Sequence, residues 1–327
     1  MADYKEIVGT RVKAVSANPS DPSDGQVWYN STDEVLKYKK AVGGGAWSSG
    51  GNLNAGRRSG AHLGTQTAAL YVGGLNTSSP GGTDIVESYN GTAFTEVADI
   101  PAGKLSLAAS GTQTAGLAFG GEPETANTQT WNGSGWTEVN DLNKARHNHM
   151  GDGTQTSSLC FGGEGTPHAT LAQTESWDGT SWTEVNDLNT AREFGAGCGT
   201  NTAALCFGGG LAPDLPAGSA LNESWNGTSW TEVGDMNNPS SYHSGGGVST
   251  AAITMGRFNP SSPVWPEVEA WNGTSWTEIA DLSTGRYFTG GGGTQGASLL
   301  ISGQAGPGTQ NVVNTEEFST IFQITPE

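Results

Sequence analysis

The chain has 327 residues, a formal net charge of −18, 14% charged residues, 51 Gly and 11 Trp. This acidic balance argues against binding to nucleic acid or anionic membranes, because both require basic patches. No stretch is apolar enough to span a bilayer, and Met1–Val15 lacks the apolar run of a signal peptide, so we expect a protein made in a cytoplasm. Abundant Gly, Thr and Trp indicate many short strands and tight turns, which is an all-β pattern.

Residues 1–44 are predicted to form a separate N-terminal arm. Within it, Gln26–Asn30 and Val35–Lys39 alternate apolar with polar residues around a Ser-Thr-Asp-Glu turn, a pattern typical of a β-hairpin. Trp28 and Tyr29 lie on the first of these strands and are the arm's candidate partner-binding residues.

Five near-identical phrases follow the arm, and each predicts a hairpin. An aromatic residue ends one strand, Asn-Gly or Asp-Gly makes the reversal, and a second aromatic residue begins the next strand. A second phrase, typified by Gly-Thr-Gln-Thr, occurs six times and leads into an apolar run. The hairpins are Ser88–Val97, Thr130–Val139, Ser176–Val185, Ser224–Val233 and Ala270–Ile279, and the second phrase begins at Gly64, Gly111, Gly153, Gly199, Gly247 and Gly293.

The period of about 46 residues predicts a six-bladed β-propeller over residues 45–327, with four-stranded antiparallel blades. In each unit, strand A follows a basic residue and strand B ends at Gly-Gly. Strand C ends at the first hairpin aromatic residue, and strand D begins at the second. The A–B and C–D turns then share one uniform face, whereas all length variation falls in the B–C loops of the opposite face.

The sixth unit lacks its own strand D, because no Asn-Gly turn follows Phe318. Trp47 precedes Arg57 by ten positions, the separation between the strand D aromatic residue and the next strand A position in the five complete units. Ala46–Gly50 is therefore predicted to complete the last blade by pairing with strand C around Val313–Phe318, which would leave no open edge in the ring.

Repeated charged residues are predicted to be structural. An Asp follows each complete hairpin, and a Lys or Arg stands five positions later in four units, so we expect an ion pair between blades; a ring-shaped ion site is the alternative. The Glu of each outer strand is predicted to lie exposed and to aid solubility. The pairs are Asp99–Lys104, Asp141–Arg146, Asp187–Arg192 and Asp281–Arg286.

Histidines and cysteines give no strong metal or redox signal, and no cofactor is expected. His149 and His243 are predicted to be solvated or hydrogen-bonded, with a metal shared with His147 in the channel as the alternative. Cys160 and Cys206 occupy a repeat position in strand B, so they are predicted to be small buried apolar residues.

The B–C loops are the predicted recognition surface, because binding residues gather on loops held by a rigid frame. Their candidate residues are Trp265, His168 and Asp214. Trp265 stands between Pro263 and Pro266, outside the repeat phrases. Its ring could stack on a sugar, cover the side of blade 5 or contact a neighbouring subunit.

The repeated unit resembles the kelch type of propeller. Its features are an apolar strand that ends in Gly-Gly, a variable loop, an aromatic residue, a Trp about six positions later and then a basic residue. The resemblance covers Trp47–Phe318 and implies the fold. It does not imply one function, since kelch rings serve as scaffolds, adhesins and, rarely, copper oxidases. Blade 5 departs from it with Gly256-Arg257 in place of Gly-Gly and Ser240 in place of the Arg.

Asp21–Ala41 and the repeated Trp-Asn-Gly-Thr-Ser-Trp-Thr-Glu-Val phrase also resemble structural proteins of tailed bacteriophages. This resemblance implies a non-enzymatic virion protein in a multi-subunit assembly, associated with tail or fibre. Its arm would dock onto other virion proteins, and its ring would present the variable face to a partner or a host surface. A carbohydrate-binding adhesin and, more remotely, an oxidase or hydrolase are the alternatives.

Overall fold

The computed structural model describes residues 13–16, 27–32, 35–38, 45–76, 78–79, 81–212, 218–259, 262–306 and 311–320. It confirms the predicted all-β fold, with six four-stranded antiparallel sheets arranged as the blades of a propeller. The six innermost strands contact one another in a closed cycle around a central channel. None of these residues belongs to a helix that could cross a membrane.

The blades repeat the predicted order A-B-C-D from the channel outward. Strand A spans Ala61–Thr65, Ala108–Thr112, Met150–Thr154, Ala196–Thr200, Ser244–Val248 and Gly290–Thr294 in blades 1 to 6. Strand B spans Ala68–Val72, Ala115–Phe119, Ser157–Phe161, Ala203–Phe207, Ala251–Met255 and Ala297–Ile301. Strand C spans Val86–Tyr89, Thr128–Trp131, Thr174–Trp177, Asn222–Trp225, Val268–Trp271 and Thr315–Thr320. Strand D spans Phe94–Val97, Trp136–Val139, Trp182–Val185, Trp230–Val233, Trp276–Ile279 and Gly45–Ser49.

The ring closes as predicted from the spacing of Trp47. Gly45–Ser49 pairs antiparallel with Thr315–Thr320, and Trp47 stands directly opposite Phe318. The centroids of these two rings are 5.2 Å apart. Trp47 also donates its indole N–H to the carbonyl of Ala280 in blade 5, at 2.9 Å. A strand that precedes blade 1 in the sequence therefore completes blade 6 and ties it to blade 5.

Each A–B turn requires glycine at its start, as Gly153 illustrates. Its φ is +134°, a conformation that L side chains rarely adopt, and a Cβ there would lie 2.4 Å from the carbonyl oxygen of Ser157. This constraint explains why the opening Gly recurs in every unit.

The basic residue before strand A pairs with a different acid from the one predicted. Arg192 Nη2 lies 2.6 Å from Glu223 Oε1 in strand C, with both side chains fully buried. Asp187, the predicted kind of partner, instead accepts a hydrogen bond from the backbone N–H of Thr174. The predicted Asp–Arg and Asp–Lys ion pairs are therefore wrong among the described residues. The same Arg–Glu pair joins Arg57 to Glu87, Arg146 to Glu175 and Arg286 to Glu316.

Blade 5 keeps this pair by moving the cation. Ser240 stands at the usual Arg position, and Arg257 stands where other blades have the second Gly of Gly-Gly. Arg257 Nη1 lies 3.3 Å from Glu269 Oε1, and both side chains are buried. The two departures of blade 5 from the repeat therefore compensate for each other.

In blades 2 to 6, a tryptophan of strand D contacts the preceding blade. Trp182 of blade 3 donates its indole N–H to Thr128 Oγ1 of blade 2 at 3.0 Å, and its ring lies 4.9 Å from that of Phe119. Cys160 belongs to the same apolar cluster. Cys160 and Cys206 are both fully buried and not disulfide-bonded, which confirms their predicted role as small buried residues.

Three arm strands are described. Val27–Asn30 and Val35–Tyr38 form the predicted antiparallel hairpin. Lys13–Val15 adds a third strand, parallel to the first hairpin strand, that the sequence did not predict.

The Glu residues of the outer strands are exposed, as predicted. They are Glu96, Glu138, Glu184, Glu232 and Glu278.

Candidate functional site at the channel mouth

A ring of six residues surrounds the mouth of the central channel, and we call them the rim. Each rim residue lies two positions before strand A, at the end of the connection from strand D, and therefore on the same face as the B–C loops. All six have positive φ although none is glycine, and all six are half-buried. The rim residues are Ser59, Ser106, Asn148, Phe194, Tyr242 and Phe288.

Backbone hydrogen bonds join the rim into a closed circle. The N–H of each rim residue donates to the carbonyl of the rim residue in the preceding blade, over 2.7 to 3.0 Å. The circle closes where Ser59 donates to Phe288 at 2.8 Å. A left-handed conformation is costly for ordinary residues and persists where surrounding structure fixes it, and these six bonds supply that constraint. The backbone of the mouth is thus fixed, whereas its side chains differ from blade to blade.

The rim has an aromatic half and a polar half. Phe194, Tyr242 and Phe288 occupy consecutive blades, with ring centroids 4.1 Å apart for the first pair and 4.4 Å for the second. Ser59, Ser106 and Asn148 occupy the other three blades. An otherwise repetitive ring is therefore amphipathic at its mouth.

The aromatic half continues outward onto the variable face. Phe258 contacts Tyr242 edge to face, with centroids 5.6 Å apart, and Tyr287 lies between Phe258 and Phe288. The guanidinium of Arg58 lies 5.7 Å from the centre of the Phe288 ring. These contacts hold the aromatic rings in place and leave the half-buried rim rings facing the mouth cavity that they line.

Two acids and two histidines border the polar half. Asn148 Nδ2 donates to Glu193 Oε2 at 3.1 Å, and Glu193 is buried. Burial raises the pKa of Glu193 to about 7, and the nearby Glu164 raises it further. Glu164 in turn lies 3.3 Å from His147 Nε2 and 2.7 Å from His168 Nδ1. Glu193 can therefore take up or release a proton close to neutral pH.

Below the rim, the channel is lined mainly by strand A glycines. A cavity of about 220 Å³ contains Asp152 and His62 among these glycines. Asp152 accepts a hydrogen bond from the Gly199 N–H of blade 4 at 3.0 Å, and burial raises its pKa to about 7. Burial lowers the pKa of His62 to about 4. Both groups are therefore held toward their neutral forms by the enclosed channel.

Of the two environments predicted for His149 and His243, solvated or hydrogen-bonded, the structure excludes the first, because both side chains are buried. Burial lowers the pKa of His149 to about 3 and that of His243 to about 4. Their rings pack instead beside Phe119 and Phe207. Within the described ranges, no three His, Cys, Asp or Glu side chains are grouped to hold a metal ion.

The structure distributes the predicted binding residues over separate places. Trp265 lies on a two-stranded ribbon formed by Arg257–Asn259 and Ser262–Trp265, and its ring stacks 4.8 Å from the Arg257 guanidinium. Trp265 thus packs on the buried cation of blade 5.

The other predicted residues do not join it. His168 has a side chain 91% exposed, at the tip of the ribbon formed by Glu164–Gly165 and Ala169–Thr170. Trp28 is buried and Tyr29 half-buried in the arm. Asp214 lies outside the described residues.

The sequence analysis did not predict the rim, although one pattern in the sequence could have indicated it. Two positions after the basic residue that precedes strand A, the six units carry Ser, Ser, Asn, Phe, Tyr and Phe.

The fold and its mouth define a six-bladed β-propeller with one uniform face and one variable face. A solved structure entitled "Structure of YjhT" matches it with a TM-score of 0.67 at 13% identity, covering 81% of this chain and 96% of that chain. At this identity the match concerns the fold alone. No protein-family model and no curated protein matches the sequence.

Proposed function

We propose that the protein is a non-enzymatic structural component of a tailed-bacteriophage particle, attached through its arm and presenting the variable face of the propeller for recognition. The observation that carries the recognition role is the contrast between the two faces. The uniform face repeats the same turns in almost every blade, whereas the rim carries Ser, Asn, Phe or Tyr and the B–C loops differ in length and sequence. A rigid frame with loops that vary is the usual arrangement of a binding surface.

The virion part of the proposal is supported by the resemblance of the arm hairpin and of the repeated phrase to phage structural proteins. The strand D of blade 6 begins at Gly45, and the three strands described between residues 13 and 38 form a sheet of their own, separate from the blades. An arm outside the ring is suited to attach the propeller while its variable face stays accessible.

The test uses the phage that carries this coding sequence. We expect mass spectrometry of purified particles to detect the chain, and we expect deletion of residues 1–44 to remove it from particles. The thermal unfolding midpoint of the deleted protein should remain within about 3 °C of the full chain, since the ring keeps all its strands.

The matched control is Tyr242→Ala, which changes the rim and leaves the arm intact, and which should still enter particles. Absence of the full chain from purified particles would refute the virion role. Incorporation of the arm-deleted chain at the normal level would refute attachment through the arm.

A carbohydrate-binding adhesin is the second candidate, and the aromatic half of the rim favours it. An adhesin of this kind would bind its ligand as an isolated protein and would not require incorporation into a particle. The two functions are compatible, because a particle component can also recognise a surface glycan.

A further inference from the structure

We propose that the channel mouth binds one uncharged sugar ring at the end of a glycan. This inference deepens the recognition role proposed above by assigning it a ligand class. It is carried by the cavity that the six rim residues enclose together with the residues just below them. That cavity has a volume of about 100 Å³ and is lined by Leu107, Gly195 and Thr289 beneath the rim.

The aromatic half supplies the apolar contact. A pyranose ring carries a face of C–H groups with slight positive charge, which packs on the electron-rich face of an aromatic ring. Phe194, Tyr242 and Phe288 are half-buried and held by mutual contacts at 4.1 and 4.4 Å, so little side-chain freedom remains to be lost on binding.

The polar half supplies uncharged hydrogen-bonding groups on the opposite side. Ser59 and Ser106 carry hydroxyl groups that both donate and accept, which matches sugar hydroxyl groups. The bond from Asn148 Nδ2 to Glu193 fixes the amide of Asn148 in one orientation. A pocket with aromatic walls and a few placed polar groups is the common form of a small-molecule site.

Charge and polarity exclude the other occupants that would fit the same cavity. An anionic ligand would approach a chain of net charge −18, beside the carboxyl groups of Glu164 and Glu193. A wholly apolar side chain from a protein partner would cover the rim serines and Asn148 without offering them partners, which is unfavourable. A neutral ring with one C–H face and several hydroxyl groups satisfies both halves.

A cavity of about 100 Å³ is small, so we expect it to take one terminal sugar residue, and a single residue makes few contacts. We therefore expect a Kd of about 1 mM for a monosaccharide. Several copies of the propeller on one particle would raise the apparent affinity for a glycan-covered surface through multivalency.

The experiment measures binding of four probes to the full chain by ligand-observed NMR: the methyl glycosides of glucose, galactose, mannose and N-acetylglucosamine. We expect at least one to bind with a Kd of about 1 mM. Tyr242→Ala should weaken binding about tenfold or more by removing the central aromatic ring, whereas Tyr242→Phe should keep it within about threefold. Trp265→Ala is the matched aromatic control outside the mouth and should not change the Kd.

A second variant guards against misfolding of Tyr242→Ala. Ser106→Phe places an aromatic ring at a rim position whose equivalents in three other blades already carry one, so the backbone accommodates it. It should fill the polar half and abolish binding while the unfolding midpoint stays unchanged. The proposal is overturned if no probe binds below about 10 mM, if Ser106→Phe binds normally, or if Trp265→Ala removes binding. Incorporation into particles is measured independently, so either proposal can fail alone.

Discussion

Five of the six blades contain a buried Arg–Glu pair, and blades 2 and 5 depart from its usual arrangement. In blade 2, Lys104 stands at the Arg position, and Gln129 stands at the strand C position that is Glu in the other five blades. In blade 5, the acid Glu269 remains and Arg257 replaces the missing cation. Blade 5 thus supplies a new cation to its buried acid, as expected when an unpaired buried charge is costly, whereas blade 2 has no acid at this strand C position and burial lowers the pKa of its Lys104.

The blade 5 arrangement yields a rescue prediction. Arg257→Ala should lower the free energy of unfolding by about 3 kcal/mol, because it leaves Glu269 buried without its cation. The double variant S240R/R257G returns the Arg to the position that it occupies in blades 1, 3, 4 and 6, and it should recover most of this loss. Chemical denaturation of the single and double variants measures both effects.

The control is Lys104→Ala, which should cost less than about 1 kcal/mol because its strand C neighbour is the neutral Gln129. If the double variant is no more stable than Arg257→Ala, the cation has a different role in blade 5 from the one assigned to it.

At the scale of elements, the A–B turn fastens five of the six blades to the preceding blade. Gln155 of blade 3 donates its side-chain amide to the carbonyls of Trp131 and Gly116 in blade 2, at 2.6 and 3.2 Å. Gln295 of blade 6 makes the equivalent bonds to blade 5. Blade 5 has Ser249 at this position, which is too short to bridge in this way. The uniform phrase of this face is thus explained by contacts between blades.

Ser249→Gln should therefore stabilise the ring. The new amide would reach the carbonyls of Trp225 and Ala204, the blade 4 equivalents of the acceptors used elsewhere, and each bond contributes about 0.5–1.5 kcal/mol. We expect the thermal unfolding midpoint to rise by about 2 °C or more. Gln295→Ala is the matched control and should lower it by a similar amount. No change in either variant would show that these bonds only replace bonds to water.

Local sequence signals made the strands and turns predictable, whereas the rim at the channel mouth was not predicted. Asn-Gly turns, paired aromatic residues and a constant period place the strands without knowledge of their neighbours. The partner of Arg192 could not be read in this way, because strand register, and not sequence distance, brings Glu223 to it. The rim was also missed, since its positive φ values arise only when six blades join their backbones in a circle.

At the scale of the whole molecule, the ring depends on one closure, in blade 6. Thr315–Thr320 pairs with Ala297–Ile301 on one side and with Gly45–Ser49 on the other. Gln66 of blade 1 also donates to the carbonyl of Phe318, at 2.6 Å. Truncation after residue 312 would remove strand C of blade 6 and these contacts with it. Strands B and D of that blade would then lose their shared neighbour.

We expect this truncation to unfold the ring in one cooperative transition. Because the inner strands and the rim hydrogen bonds form closed circles, a gap in one blade removes support from its neighbours on both sides. Hydrogen-exchange protection should be lost in all six blades, with the same denaturant midpoint in each. Loss of protection in blade 6 alone would contradict this expectation, because it would mean that the blades are stable independently of closure.

A circular permutant distinguishes closure itself from the particular sequence of blade 6. Joining Phe318 to Trp47 through Asn-Gly-Thr-Ser would give blade 6 the turn that blade 5 uses between its aromatic residues. New chain ends between Gly179 and Thr180 would move the closure to blade 3, where Trp177 and Trp182 would then pair as Phe318 and Trp47 do now. Since every blade has the same strand order, and blades 3 and 6 both contain the buried Arg–Glu pair, we expect the permutant to fold with an unfolding midpoint within about 3 °C of the original chain without its arm. A permutant that fails to fold would show that blade 6 is specialised for closure beyond its pattern of strands.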